Sequence, residues 1–118
     1  KPAPREIADA ILAIDFKLSR AQKMMLAIHA KSPGHRITVR AIGRVGDYAS
    51  AEGAFEEYAE IARRVCDELA YQPGSRRKDH YPGITLLLVE DVGIGSVTHD
   101  TVLTLRPEIV KALELLAW

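Results

Sequence analysis

The stretch "GRVGDYASAEGAFEEYAEI", residues 43–61, puts Glu52, Glu56, Glu57 and Glu60 at the start of a helix that begins near Ser50. A glutamate on the outward side of such a helix accepts a hydrogen bond from an exocyclic amino group, as in contacts to cytosine. Turning at 100° per residue, the helix sends Gly53, Glu56, Glu60 and Arg63 outward when its apolar stripe faces in. Gly53 costs roughly 0.5–1 kcal/mol against alanine in a helix and leaves room for close backbone approach. Tyr48, Ser50, Glu52, Gly53, Phe55 and Glu56 are therefore the candidate base-reading residues. Three of them also have plainer roles. Glu52 suits the positive end of the helix dipole, Tyr48 can pack under the helix start, and Phe55 borders the buried stripe. Either aromatic would offer apolar contact to a methyl group on a base edge.

Positive charge lies elsewhere. Arg36, Arg40 and Arg44 recur every four residues, just after His35, and "SRRKDH" supplies Arg76, Arg77, Lys78 and His80. Lys17, Arg20 and Lys23 form a third group. Any one of these reads as a solvated surface charge. Brought to one face, Arg36, Arg40, Arg44, Arg76, Arg77, Lys78 and His80 are the candidate phosphate contacts. The 16 Lys plus Arg balance 16 Asp plus Glu, so placement rather than net charge has to supply any affinity for nucleic acid.

Other chemistries find less support. His29, His35, His80, His99 and Cys66 match no zinc spacing, and "GIGSVT" lacks the third glycine and the context of a nucleotide fingerprint. Glu56 and Glu60 stand four apart without a histidine motif. No nucleophile with a neighbouring base is recognisable. The segment reads as non-catalytic, with no metal and no cofactor.

The elements that would position these residues are mostly helical. Apolar periodicity and caps predict helices from about Arg5, after Ser19 with Gln22 as a capping box, after Thr38, over about Ala51–Ala70 behind Ser50, and from Pro107. "ITLLLVE" and "HDTVLTL" read as two strands of a hairpin across the turn "DVGIGSV". The fold class expected is mainly α with a small β-hairpin, a winged helix-turn-helix. The 118 residues, 47% hydrophobic, suit one domain, with 1–17 an N-terminal helical extension and 18–118 the winged-helix core. One cysteine fits a reducing, cytoplasmic setting, and no apolar run is long enough to span a membrane. A chain opening on Lys1 reads as a domain excised from a longer protein.

The run "YASAEGAFEEYAEIARRVCDEL" followed by "LRPEIVKALELLAW" resembles winged-helix domains fused to bacterial modification-dependent restriction endonucleases, often beside an HNH nuclease domain. The likeness covers about residues 18–118. It rests on Tyr58, Ala59 and Ile61 in the helix and on Leu105, Arg106, Pro107, Glu108 and Trp118 at the close. It implies binding of double-stranded DNA, sensing of a methylated base with N6-methyladenine first, and a nuclease domain on the same full-length chain. The chain departs from that pattern at Phe55, where the family carries a polar residue. The alternative is a winged-helix protein-interaction or transcription-regulator module without modification sensing, which an acidic second helix also suits. Salt dependence separates the two, since affinity for DNA falls steeply as salt rises.

Overall fold

Hydroxyl caps start the helices where the sequence places them. The computed structural model describes residues 1–75, 77–79, 81–93 and 95–118. Ser19 Oγ accepts from the Gln22 N–H at 3.0 Å and Gln22 Oε1 accepts from the Ser19 N–H at 2.9 Å, which starts α2 (Arg20–Lys31). Thr38 Oγ1 caps α3 (Val39–Gly46) and Ser50 Oγ caps α4 (Ala51–Leu69), at 3.2 and 2.9 Å. Proline opens both α1 (Pro4–Ala13) and the last helix, Pro107–Leu115, where its missing N–H has no helical partner to lose.

Residues 47–50 join α3 to α4. Asp47 adopts the left-handed conformation, φ 59°, which aspartate tolerates better than most residues. The Tyr48 N–H then turns back to the Gly43 carbonyl at 2.8 Å, closing the end of α3.

The β structure differs from the hairpin expected over 84–105. Ile84–Leu87 is one helical turn, α5, entered from Gly83 at φ +82°. The sheet is two-stranded and antiparallel, with β1 (Arg36–Thr38) paired to β2 (Val102–Thr104) in the register Arg36↔Thr104, Ile37↔Leu103 and Thr38↔Val102. Of the expected hairpin there remain a bridge between Leu88 and Leu105 and a 2.9 Å bond from the Val89 N–H to the Thr104 carbonyl. Glu90 ends the ladder there, because its Oε2 takes the Thr104 N–H at 2.8 Å in place of a strand carbonyl. The physical reason lies in burial. Ile84, Leu86, Leu87 and Leu88 are all inside, and a short, nearly continuous apolar run carries no period that separates strand from helix.

A single core gathers Ile7, Ile11 and Ile14 with Met25, Leu26, Ile42, Tyr58, Ile61, Leu103, Ile109 and Leu113. The first helix thus shares the core of the other elements, and residues 1–17 are more than an appendage. Within this frame α4 shows one long side to solvent at its amino-terminal half.

Candidate nucleic-acid interface

The outward side of α4 is set by its buried one. Ala54, Phe55, Tyr58, Ile61, Ala62 and Val65 are each at most 1% exposed, which at 100° per residue leaves Glu52, Gly53, Glu56, Glu57 and Glu60 on the other arc. Glu52 and Glu56 are exposed. Glu60 is already engaged: Arg63 Nη2 and Arg64 Nε donate to its Oε1 at 2.7 and 2.8 Å. The Arg63 hydrogen bonds hold its carboxyl below the usual carboxylate range. The acidity of the helix is thus partly internal, and Glu52 and Glu56 are the carboxylates left facing outward.

One candidate changes role. Phe55 is 1% exposed and cannot reach a base edge while α4 is packed; the apolar-contact expectation for it is corrected to a core position. Ser50 and Gly53 form one unit, since the Ser50 hydroxyl accepts the Gly53 N–H. A Cβ at Gly53 would lie 2.9 Å from that oxygen, so a bulky residue there disturbs the cap as well as any close approach. Losing a serine cap costs about 1 kcal/mol.

Tyrosines border this arc on both sides. Tyr48 is half-buried and lies across Gly46, where a Cβ would run into its ring. Partial burial, and then the nearby Glu57 carboxylate, raise its pKa. Gln22 Nε2 donates to the same carboxylate at 2.8 Å, tying the edge of the arc to α2. On the opposite edge stands Tyr81, a residue that sequence reasoning missed. Its ring meets Phe55 edge-on, 5.2 Å between centroids at 63°. Burial, and then the charges of Glu56 and Glu52, push its phenol upward. Nothing local in "HYPG" announces this, because the contact joins a loop to the first turns of α4, far earlier in the chain.

The cations are distributed unevenly. Arg36 lies on β1 rather than on the helix with Arg40 and Arg44, and all three are exposed. Arg40 Nη1 pairs with Asp100 at 3.0 Å. The turn bearing Asp100 is held at the start of α3, where the Val39 and Arg40 N–H groups donate to the carbonyls of Thr101 and His99 at 2.9 and 3.0 Å. Arg36 and Arg44 carry no ion pair among the described residues. Arg77 acts as a strut: its Nε meets Asp79 at 3.1 Å and its Nη2 meets Ser96 at 3.3 Å. Lys78 is exposed. Arg76 and His80 lie outside the described residues.

Beneath the arc, His29 joins three elements. It is fully buried, with Nε2 donating to the Leu103 carbonyl of β2 and Nδ1 facing the Tyr58 hydroxyl of α4, each at 2.9 Å. With Nε2 carrying the proton, the single Tyr58 hydroxyl hydrogen has two acceptors within reach, His29 Nδ1 at 2.9 Å and the Met25 carbonyl at 3.1 Å. Burial lowers the His29 pKa below 6.5, more than the Leu103 carbonyl restores. The unfolded chain therefore takes up a proton at a pH where the folded chain does not. Stability is complete above about pH 6.5 and falls as the pH drops toward the lowered folded value, by at most about 1.4 kcal/mol per pH unit. Urea unfolding from pH 7.5 to 5.5 should show this slope, and His29→Gln should flatten it. An equal slope in the variant would assign the effect to other groups.

These features define a mainly helical chain with a small two-stranded antiparallel sheet. Among the described residues no helix is long and apolar enough to cross a membrane, and no group of three or more His, Cys, Asp or Glu is placed to hold a metal ion. Comparison with family models, with curated proteins and with solved structures finds no match.

Proposed function

We propose that this chain is a winged-helix domain that binds double-stranded DNA, with α4 presented to the major groove, and that it senses a methylated base on behalf of a nuclease domain of the same full-length protein. The observation that supports this most is the order α2, β1, α3, four-residue turn, α4, β2, with exposed Arg40 and Arg44 on α3, which packs on α4, and exposed Arg36 on β1 just before it. In helix-turn-helix proteins the second helix enters the groove by its first turns, and neighbouring elements hold phosphates. In this reading Glu52 and Glu56 suppress indiscriminate phosphate binding on the reading helix, and the arginines around it provide affinity.

A second reading has its own observation. Asp47, Glu52 and Glu56 are all exposed around the start of α4, which suits a protein-interaction module with a basic partner. Fluorescence anisotropy with a labelled duplex of about 30 base pairs, from 50 to 300 mM salt, distinguishes them. The DNA reading expects affinity to fall by at least about tenfold over that range, as counterions released from several phosphates require. Salt-independent or undetectable binding would favour the protein partner.

A further inference from the structure

Granting that reading of duplex DNA, we propose that the modified base is a cytosine carrying a methyl group on C5, and that Tyr81 is the residue that senses it. A paired cytosine keeps one N4–H free in the major groove, and a C5 methyl stands beside that hydrogen, where thymine carries its own methyl. A glutamate carboxylate is an acceptor only, so it requires a free N–H on the base. In paired N6-methyladenine the single remaining N–H is used by thymine. The methyl then occupies the outward position, beside the N7 lone pair. Glu52 or Glu56 would face a methyl and an acceptor there, a mismatch on both counts. The same reasoning excludes N4-methylcytosine.

The apolar partner for the methyl comes from a different segment. Phe55, inside the core, supports the Tyr81 ring at 5.2 Å, and Tyr81 is the half-exposed member of that pair. Glu52 and Glu56 flank Phe55 on the helix, three residues before it and one after, so the ring packed on Phe55 lies on their side of the arc. Gly53, without a side chain, lies on the arc between the two tyrosines. A carboxylate and an aromatic ring side by side match the adjacent amino group and methyl of C5-methylcytosine. Where the resemblance in the sequence implies N6-methyladenine, the side-chain chemistry of this chain points to the other base.

Random-sequence duplex pools test this without knowledge of the recognition site. One pool is copied with ordinary nucleotides, one with 5-methylcytosine for cytosine and one with N6-methyladenine for adenine; all three compete against a labelled unmodified pool. The expected result is a three- to fivefold preference for the 5-methylcytosine pool, the size of one methyl group removed from water, and none for the N6-methyladenine pool. Tyr81→Ala should bring that ratio close to one, and Tyr81→Phe, which keeps the ring on Phe55, should retain it; circular dichroism checks that both variants fold. Preference for the N6-methyladenine pool, equal binding of all three pools, or an unchanged ratio in Tyr81→Ala overturns the inference while leaving DNA binding in place. Absence of binding to every pool removes the DNA reading, and this inference with it.

Discussion

Arg36→Ala, Arg40→Ala and Arg44→Ala combined in one chain are expected to weaken duplex DNA binding on the order of a hundredfold near 0.1 M salt, and to reduce the slope of log affinity against log salt by about two. The three side chains are exposed and none belongs to the core, so the loss should come without unfolding. Arg40 and Arg44 are one turn apart on α3, on the same side of that helix. Arg40 must leave Asp100 to meet a phosphate. The exchange costs little, because both partners are largely exposed, with side chains 49% and 83% accessible, and such pairs contribute about 0–1 kcal/mol. That exchange is why the expected change in slope is about two rather than three. The loss should be nearly equal on modified and unmodified duplexes, since phosphate contacts position the protein without reading sequence. Anisotropy titrations at several salt concentrations provide the measurement, and an unaltered slope would move the phosphate-binding surface away from β1 and α3.

Gly83→Ala should destabilise the fold by about 2–4 kcal/mol, one of the larger effects a single methyl group can produce here. Two costs combine. The residue has φ +82°, a conformation alanine rarely adopts, and a Cβ built on it would lie 2.9 Å from Cys66 Sγ and 3.2 Å from the Ala62 carbonyl oxygen. The second neighbour is backbone of α4 and has little freedom to move. Gly83 is the point where the loop returns to the long helix, immediately before buried Ile84 and Leu87. Cys66→Ala in the same chain should recover part of the loss by removing the sulfur contact, leaving the φ penalty and the Ala62 contact in place. Urea denaturation of the two single variants and the double variant reads this cycle. A Gly83→Ala chain within 0.5 kcal/mol of the parent would show that the loop does not press on α4 in this way.

Tyr81 and Phe55 show how a candidate site can be half legible. The amino-acid order indicates an aromatic contact near the start of α4, and Tyr48 and Phe55 are the aromatic residues it offers there. The packed structure turns Phe55 inward and brings Tyr81 to the same place from a loop that follows the helix. An aromatic ring stands at that place, and the residue that presents it is different. Arg77 shows the opposite case, a cation in a basic run whose charge is largely met by Asp79.

What the sequence by itself determined was the set of signals that act within a few residues. The caps at Ser19, Thr38 and Ser50, the first-turn prolines and the apolar stripe of α4 all depend on neighbours along the chain, so their positions could be read directly. What only the tertiary structure decided were contacts between distant segments. Ile37 pairs with Leu103 in a sheet of three-residue strands, too short to show a period. Ile84–Leu87 became a helical turn because Gly83 docks on α4 and Ile84, Leu86 and Leu87 are all buried. His29 became a neutral cross-tie because folding places Tyr58 on one of its nitrogens and the Leu103 carbonyl on the other. A hydrogen bond or a packed ring between segments far apart in sequence has no local pattern, since its geometry exists only once the core has brought both partners together.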